Sequence, residues 1–139
     1  MKKAYYYFYY KIYKSVEYTS ELFGGSFWTE WKASLGLSVL IYFIIASLFI
    51  YYKIFINPYI HLSDNNIDII IISIIVEVFN YYIFHSKNQW KNILVSFDRL
   101  SKKQNTLGGW IVFIFIFFVF FNLIFSIYLM SKINWDAFR

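Results

Sequence analysis

Cysteine is absent from this chain of 139 residues, proline occurs once, and charged residues make up only 15% of the sequence. The lack of cysteine excludes disulfide bonds, thiolate nucleophiles and cysteine metal sites. The scarcity of charge says more, because a soluble domain carries about 25% charged residues. A chain with so few charged groups lacks the surface that water requires, so a lipid-facing exterior is expected.

Hydrophobic residues make up 60% of the chain, and they form three long apolar runs. Residues 33–52 and 107–131 contain no charge. As a helix, the first of these runs covers about 30 Å, the thickness of a bilayer's hydrocarbon core. Residues 67–85 are rich in isoleucine and would also suit a buried strand. However, open strands leave backbone groups unpaired in lipid and three strands cannot close a barrel, so we predict a helix here too.

Two further segments have the pattern of amphipathic helices. Residues 4–23 carry Lys and Glu three or four apart among many Tyr and Phe, which suits an interfacial helix in the headgroup layer. Residues 88–104 repeat apolar side chains at helical spacing, and this face is expected to meet headgroups, neighbouring helices or a partner protein. Its apolar face is Trp90, Ile93, Leu94, Phe97 and Leu100, and its basic face, predicted to meet anionic lipid, is Lys91, Arg99, Lys102 and Lys103.

Local signals indicate where the helices begin and end. Asn65 is the predicted N-cap of the second span, with Asp68 at its N3 position. Gly24 and Gly25 can end the first helix, and Ser26 can cap the next. No glycine or proline lies between 67 and 106, so the sequence leaves open whether the second span continues unbroken into the helix at 88–104. The predicted fold class is therefore all-α: one polytopic membrane domain over residues 1–139, with three transmembrane helices and two amphipathic helices.

Polar residues recur every three or four positions along the second span and therefore share one helix face. Such a face should meet protein or water rather than lipid. Glu77 lies near the middle of the second span and has three interpretations. It could hydrogen-bond between helices, either protonated or bonded by Ser73 and Asn122. It could instead line a water-filled path or form a proton relay with His85, or it could contact a partner's helix. The intramembrane polar set is Ser73, Glu77, Asn80, Tyr81 and His85, together with Asn122 of the third span.

The distribution of basic residues predicts the orientation. Ten of the 13 Lys and Arg residues lie before the first span or between the second and third. The positive-inside rule then places the N-terminus in the cytoplasm and the C-terminus outside. These ten are Lys2, Lys3, Lys11, Lys14, Lys32, Lys87, Lys91, Arg99, Lys102 and Lys103, whereas the remaining three are Lys53, Lys132 and Arg139.

Motifs for catalysis, cofactors or metals are absent from the sequence, including HExxH, G-x-S-x-G and a Gly-rich loop after a strand. The stretches "YYYFYYKIYKSVEYTSELFGG" and "LSKKQNTLGGWIVF…NLIFSIYLMSKINW" resemble a group of small uncharacterised membrane proteins of Bacteroidota. The resemblance implies three spans and a bacterial inner membrane, and it implies no activity.

The expected function is that of a non-enzymatic inner-membrane protein acting by association. It would form a homo-oligomer or serve as an accessory subunit of a membrane complex, and an immunity-type protector against a membrane-acting toxin belongs to the same class. The alternative is an oligomeric ion or proton channel, or a small transporter, with Glu77 in its lumen. The expected partners are the lipid bilayer and a membrane protein or a second copy, with no nucleic acid, cofactor or metal.

Overall fold

A computed structural model describes residues 2–22, 27–62 and 65–135. Every regular element in these ranges is helical, as the sequence predicted. Three stretches are long and apolar enough to cross a membrane: Thr29–Phe55, Ile67–Asp98 and Lys102–Ser131. The five α-helices are α1 (Lys2–Leu22), α2 (Thr29–Phe55), α3 (Ile67–Asn80), α4 (Gln89–Asp98) and α5 (Lys102–Ser131), with a π-helical segment (Tyr81–His85) and a 3-10 turn (Ser86–Asn88) between α3 and α4.

The predicted helix at 88–104 is wrong in its last six residues, because α4 ends at Asp98. Ser101 begins α5 instead: its hydroxyl accepts the Gln104 N–H at 3.3 Å, and the Gln104 side chain accepts the Ser101 N–H at 3.4 Å. This reciprocal capping box satisfies backbone donors that a continuous helix would have used internally. The charged residues that follow Ser101 are therefore the first turn of α5, which begins five residues before the predicted 107–131 span.

The start of α3 also differs from the prediction. Its N-cap is Asn66 rather than Asn65, and no side-chain hydrogen bond caps the helix. Asn66 has a positive φ of 54°, a conformation that asparagine tolerates better than most residues. The first helical turn is closed by the backbone instead, where the Ile70 N–H donates to the Asn66 carbonyl at 3.1 Å. The predicted caps at Gly24, Gly25 and Ser26 lie outside the described residues.

The second span does not continue straight into α4. Lys87 and Asn88 have positive φ angles of 56° and 54°, which break the helical path between Tyr81–His85 and α4. This break needs no glycine or proline, so the absence of both between 67 and 106 did not exclude it. It allows α4 to turn back against α1, and α1 packs against α2, α4 and α5.

The hydrophobic core lies at the end of the bundle where α2 and α5 begin and α3 ends. We call it the aromatic core: Tyr9, Tyr10, Tyr13, Ala33, Leu37, Phe84, Ile93 and Phe97. Tyr9 stacks on Phe84 with ring centroids 4.1 Å apart and planes 13° from parallel. The expectation that α1 lies with its tyrosines in the headgroup layer is therefore wrong for this face, which is covered by protein. Elsewhere the three apolar helices leave large side chains such as Phe117 and Ile124 exposed.

Candidate functional site: polar contacts between α2 and α3

The most deeply buried polar group of α3 is Asn80, whose side chain is 0% exposed. Its amide nitrogen donates to the Ser38 hydroxyl of α2 at 2.7 Å, and its amide oxygen accepts a hydrogen bond from the Tyr5 hydroxyl of α1. Ser38 in turn donates to the Ser34 carbonyl at 3.2 Å. Burial raises the pKa of Tyr5 to about 12, so this phenol remains a donor at neutral pH. Asn80 thus joins three helices through satisfied hydrogen bonds, as a buried polar side chain requires.

Glu77 lies one turn farther from the aromatic core and contacts a different residue of α2. The Tyr42 hydroxyl donates to Glu77 Oε1 at 3.0 Å and lies 3.5 Å from the Ser73 carbonyl. Ser73 does not bond Glu77, because its own hydroxyl donates to the Ile69 carbonyl at 2.8 Å. Glu77 is only partly buried, and its other carboxylate oxygen accepts no hydrogen bond from the described residues.

Asn122 was expected to contact Glu77, and this expectation is wrong. Asn122 lies on another side of α2, in an open cleft that it lines with Ile44, Ser47 and Leu48. Residues 42 and 44 are two positions apart on a helix and so point in nearly opposite directions. Because α3 and α5 pack on different sides of α2, similar depth in the bundle was not enough to bring Asn122 to Glu77.

Tyr81 and His85, the last two members of the predicted polar face, group around Trp31 of α2. His85 stacks on the indole with centroids 4.0 Å apart, and Tyr81 lies 6.2 Å from it. His85 Nε2 is buried and has no hydrogen-bond partner among the described residues. The predicted face therefore divides into three separate contacts with α2, at Tyr42, Ser38 and Trp31.

The apolar face of α4 is covered by α1. The ring of Phe97 packs edge-on against Tyr7, with centroids 5.2 Å apart, and is tilted against Tyr10 at 5.6 Å. Trp90 stacks on Tyr13 with centroids 6.2 Å apart. Ile93 is buried, and Leu94 and Leu100 pack at the edge of the same cluster. Headgroups, neighbouring helices and a partner protein were the three expected contacts of this face, and the structure places a neighbouring helix of the same chain there.

A polar rim closes the α1–α4 contact. The Tyr10 hydroxyl donates to Asp98 Oδ1 at 3.0 Å, and burial together with this carboxylate raises the pKa of Tyr10. Lys14 lies 3.6 Å from the same oxygen and 3.1 Å from Glu17. The basic residues predicted to meet anionic lipid remain exposed outside this rim: Lys91, Arg99, Lys102 and Lys103.

Sequence reasoning found Asn80 and Glu77 but missed their partners Tyr5, Ser38 and Tyr42. A signal for Ser38 exists in the sequence, since Ser34 and Ser38 are four residues apart and share one face of an otherwise apolar helix. Small residues of this kind permit close helix approach in membranes. Tyr42 carries no such signal, because the chain contains 14 tyrosines and nothing in the pattern separates this one from the rest.

The described residues contain no cluster of three His, Asp or Glu side chains that could hold a metal ion. The described residues together form an all-helical fold with three helices long and apolar enough to cross a membrane and an aromatic core at one end. The chain matches no protein-family model, no curated protein and no solved structure. The resemblance to membrane proteins of Bacteroidota therefore stays a prediction.

Proposed function

We propose that this protein is a non-enzymatic inner-membrane protein that acts by association, and that Glu77 lies in the contact it makes with a second helix-forming chain. The second chain is either another copy or a larger membrane complex to which this protein is an accessory subunit. Protection against a membrane-acting toxin would be one form of such association.

The observation that carries this proposal is the half-covered carboxyl of Glu77. Tyr42 satisfies one oxygen, while the other is left unbonded within the described residues, in the middle of an apolar stretch. A charged group at the centre of a bilayer costs at least about 2.5–3.5 kcal/mol on insertion scales, and polar groups there usually face protein. Neighbouring side chains of α3 are apolar and exposed, including Ile74 and Val78. A partner helix on this side would cover both the carboxyl and its apolar surroundings.

We expect Glu77→Leu to weaken association and Glu77→Gln to preserve it, because the amide retains the ability to hydrogen-bond. Interhelical hydrogen bonds in membranes contribute about 0.6–2 kcal/mol, so the association constant should fall by about 3- to 30-fold in the leucine variant. Energy transfer between labelled copies in liposomes measures self-association, and copurification in mild detergent measures assembly with another protein. Asn122→Leu is the matched control, since it removes a polar group of α5 that lies against another side of α2 than Glu77 does. Equal losses from Glu77→Leu and Asn122→Leu would refute a contact centred on Glu77.

Conduction through an oligomeric pore is the second candidate, and the same open side of Glu77 favours it. A path within one chain is blocked, because Asn80, Ser38 and Phe84 are sealed between Glu77 and His85. A lumen would therefore have to lie between copies. In that case Glu77→Gln should leave the oligomer intact and abolish proton or cation flux in liposomes, whereas an associating protein carries no flux that either variant could change.

The orientation follows from the charge pattern and has its own test. We expect reporter fusions that are active only outside the cytoplasm to work after residue 60 and after residue 135, and to fail after residue 100. Fusion points at 60 and 135 follow α2 and α5, and the point at 100 lies between α4 and α5. An active reporter at residue 100, or an inactive one at residue 135, would show that the ten-to-three distribution of basic residues does not set the topology.

A further inference from the structure

An open groove of about 500 Å³ runs along the bundle between α1, α2 and α5. Its walls are almost wholly apolar, with Val39 and Leu40 on α2 and Val112 and Phe113 on α5. Volumes of 300–1,000 Å³ are typical of sites for small ligands, and the walls here suit a hydrocarbon chain. The groove is separate from the contacts of Glu77, since none of the residues that line it belongs to α3.

Two glycines keep the groove open at the α1 end. A Cβ at Gly36 would lie 3.4 Å from Ile12 Cγ2, and a Cβ at Gly109 would lie 3.4 Å from Lys11 Nζ. Any larger side chain at these positions would occupy the space beside α1. Because they carry no side chain, these glycines let the N-terminal parts of α2 and α5 approach α1 while leaving room between the helices.

Lys11 is the only charged residue among the described residues that line this groove, and it stands at the α1 end. Its ammonium nitrogen lies 5.7 Å and 5.8 Å from the ring centres of Tyr7 and Tyr10. Both ion pairs found in the described ranges belong to Lys14, so Lys11 has no carboxylate partner there. Ser15, one turn farther along α1, places a hydroxyl beside the same opening. A partly buried, uncompensated cation with a neighbouring hydroxyl is complementary to an anion such as a phosphate.

The length of the groove matches one leaflet. It extends along α5 from Gly109 to Phe120, a distance of about 16 Å at 1.5 Å per residue. Half of a 30 Å hydrocarbon core is about 15 Å. Gly109 lies next to the basic end of α5, and Phe120 lies at the middle of its uncharged run. An acyl chain whose headgroup meets Lys11 would therefore end near the midplane of the bilayer.

We propose that this groove binds an anionic phospholipid of the leaflet on the α1 side, with its phosphate on Lys11 and Ser15 and one acyl chain between α2 and α5. Basic pockets between transmembrane helices on the cytoplasmic side are sites of this kind. This proposal is independent of the association through Glu77, because Glu77 belongs to α3 and contacts another face of α2.

Native mass spectrometry of the full chain in detergent, titrated with phosphatidylglycerol or with phosphatidylcholine of the same acyl chains, tests the headgroup contact. The first phosphatidylglycerol molecule to bind should bind more tightly than the first phosphatidylcholine molecule. Lys11→Gln should reduce this difference in affinity about fivefold, which is the effect expected for one basic residue. Lys11→Arg keeps the charge and should keep the preference. The matched control is Lys132→Gln, because Lys132 is an exposed lysine just past the far end of α5, away from the groove. Equal binding of the two lipids, or equal effects of Lys11→Gln and Lys132→Gln, would overturn the proposal.

A second pair of variants tests the acyl chain. Val39 lines the groove and is 43% exposed, so Val39→Trp can fill the space without displacing a core residue. We expect this variant to weaken binding of both lipids. Val95→Trp places the same bulk on α4, where Val95 is exposed and outside the groove, and should leave lipid binding unchanged. If Val39→Trp binds lipid as the unmodified protein does, the acyl chain does not lie between α2 and α5.

Discussion

Phe97→Asp should detach α1 from α4. Phe97 is only 7% exposed and packs between the rings of Tyr7 and Tyr10. Removing a buried phenyl group costs about 3–5 kcal/mol, and the new carboxylate would be buried without a partner. It would also stand next to Asp98, whose carboxylate already accepts the Tyr10 hydroxyl, so like charges would oppose each other.

Two measurements check this result. The midpoint of thermal unfolding in detergent should fall, and trypsin should cut faster after Lys11 and Lys14, because both lysines lie on α1 and become accessible when it detaches. Asn92→Asp is the control, since Asn92 is exposed on the same helix and gains the same charge. Similar cleavage rates for the two variants would mean that α4 does not hold α1 in place.

Asn80→Leu should produce the second largest loss of stability. The substitution leaves the Tyr5 hydroxyl without its acceptor and the Ser38 hydroxyl without its donor, in a region that excludes solvent. A buried polar group left unsatisfied costs about 1–3 kcal/mol, so we expect a loss of about 2 kcal/mol. Reversible unfolding in mixed micelles with increasing dodecyl sulfate measures it.

A double-mutant cycle separates the hydrogen bond from the change of shape. Tyr5→Phe removes the donor and keeps the ring, so its effect should be largely contained within that of Asn80→Leu when the two are combined. Asn122→Leu provides the control, because Asn122 is a polar residue of the third apolar helix that lines an open cleft. Additive effects of the Tyr5 and Asn80 substitutions would show that the hydrogen bond between them contributes nothing to stability.

The helices were predictable because their signals are averaged over many residues. α2 and α5 are identified by the uncharged runs near 33–52 and 107–131, and α3 by the isoleucine-rich run from 67. In the structure, α2 and α5 only extend farther, into charged residues at their ends. Helix ends were less predictable, because single hydrogen bonds decide them. The capping box of Ser101 and Gln104 is visible in the sequence, but it lies inside an apparently continuous amphipathic pattern that concealed it.

The contacts of the candidate site were only half predictable. Periodicity shows which residues of α3 share a face, and it correctly grouped Glu77 and Asn80 toward α2. It cannot show which helix lies opposite or at what rotation. Asn122 was assigned to Glu77 by depth alone, and the packing of α3 and α5 on different sides of α2 separates them. The break at Lys87 and Asn88 was equally hidden, since lysine does not indicate a positive φ and asparagine indicates one far less strongly than glycine does.

The contacts of α1 set the order in which the protein can be assembled during synthesis. Tyr10 bonds Asp98, 88 residues later in the chain, and Tyr7 contacts Asn105, 98 residues later. At about 5–20 residues per second, a newly made α1 waits roughly 5–20 s before these partners leave the ribosome. Throughout that interval α2 covers only part of α1, and the tyrosines that face α4 lack their protein partner, so the headgroup layer is the environment that suits this side of the helix. We therefore expect the interfacial helix indicated by the sequence in the nascent chain, and we expect the aromatic core to replace it once α4 has been made.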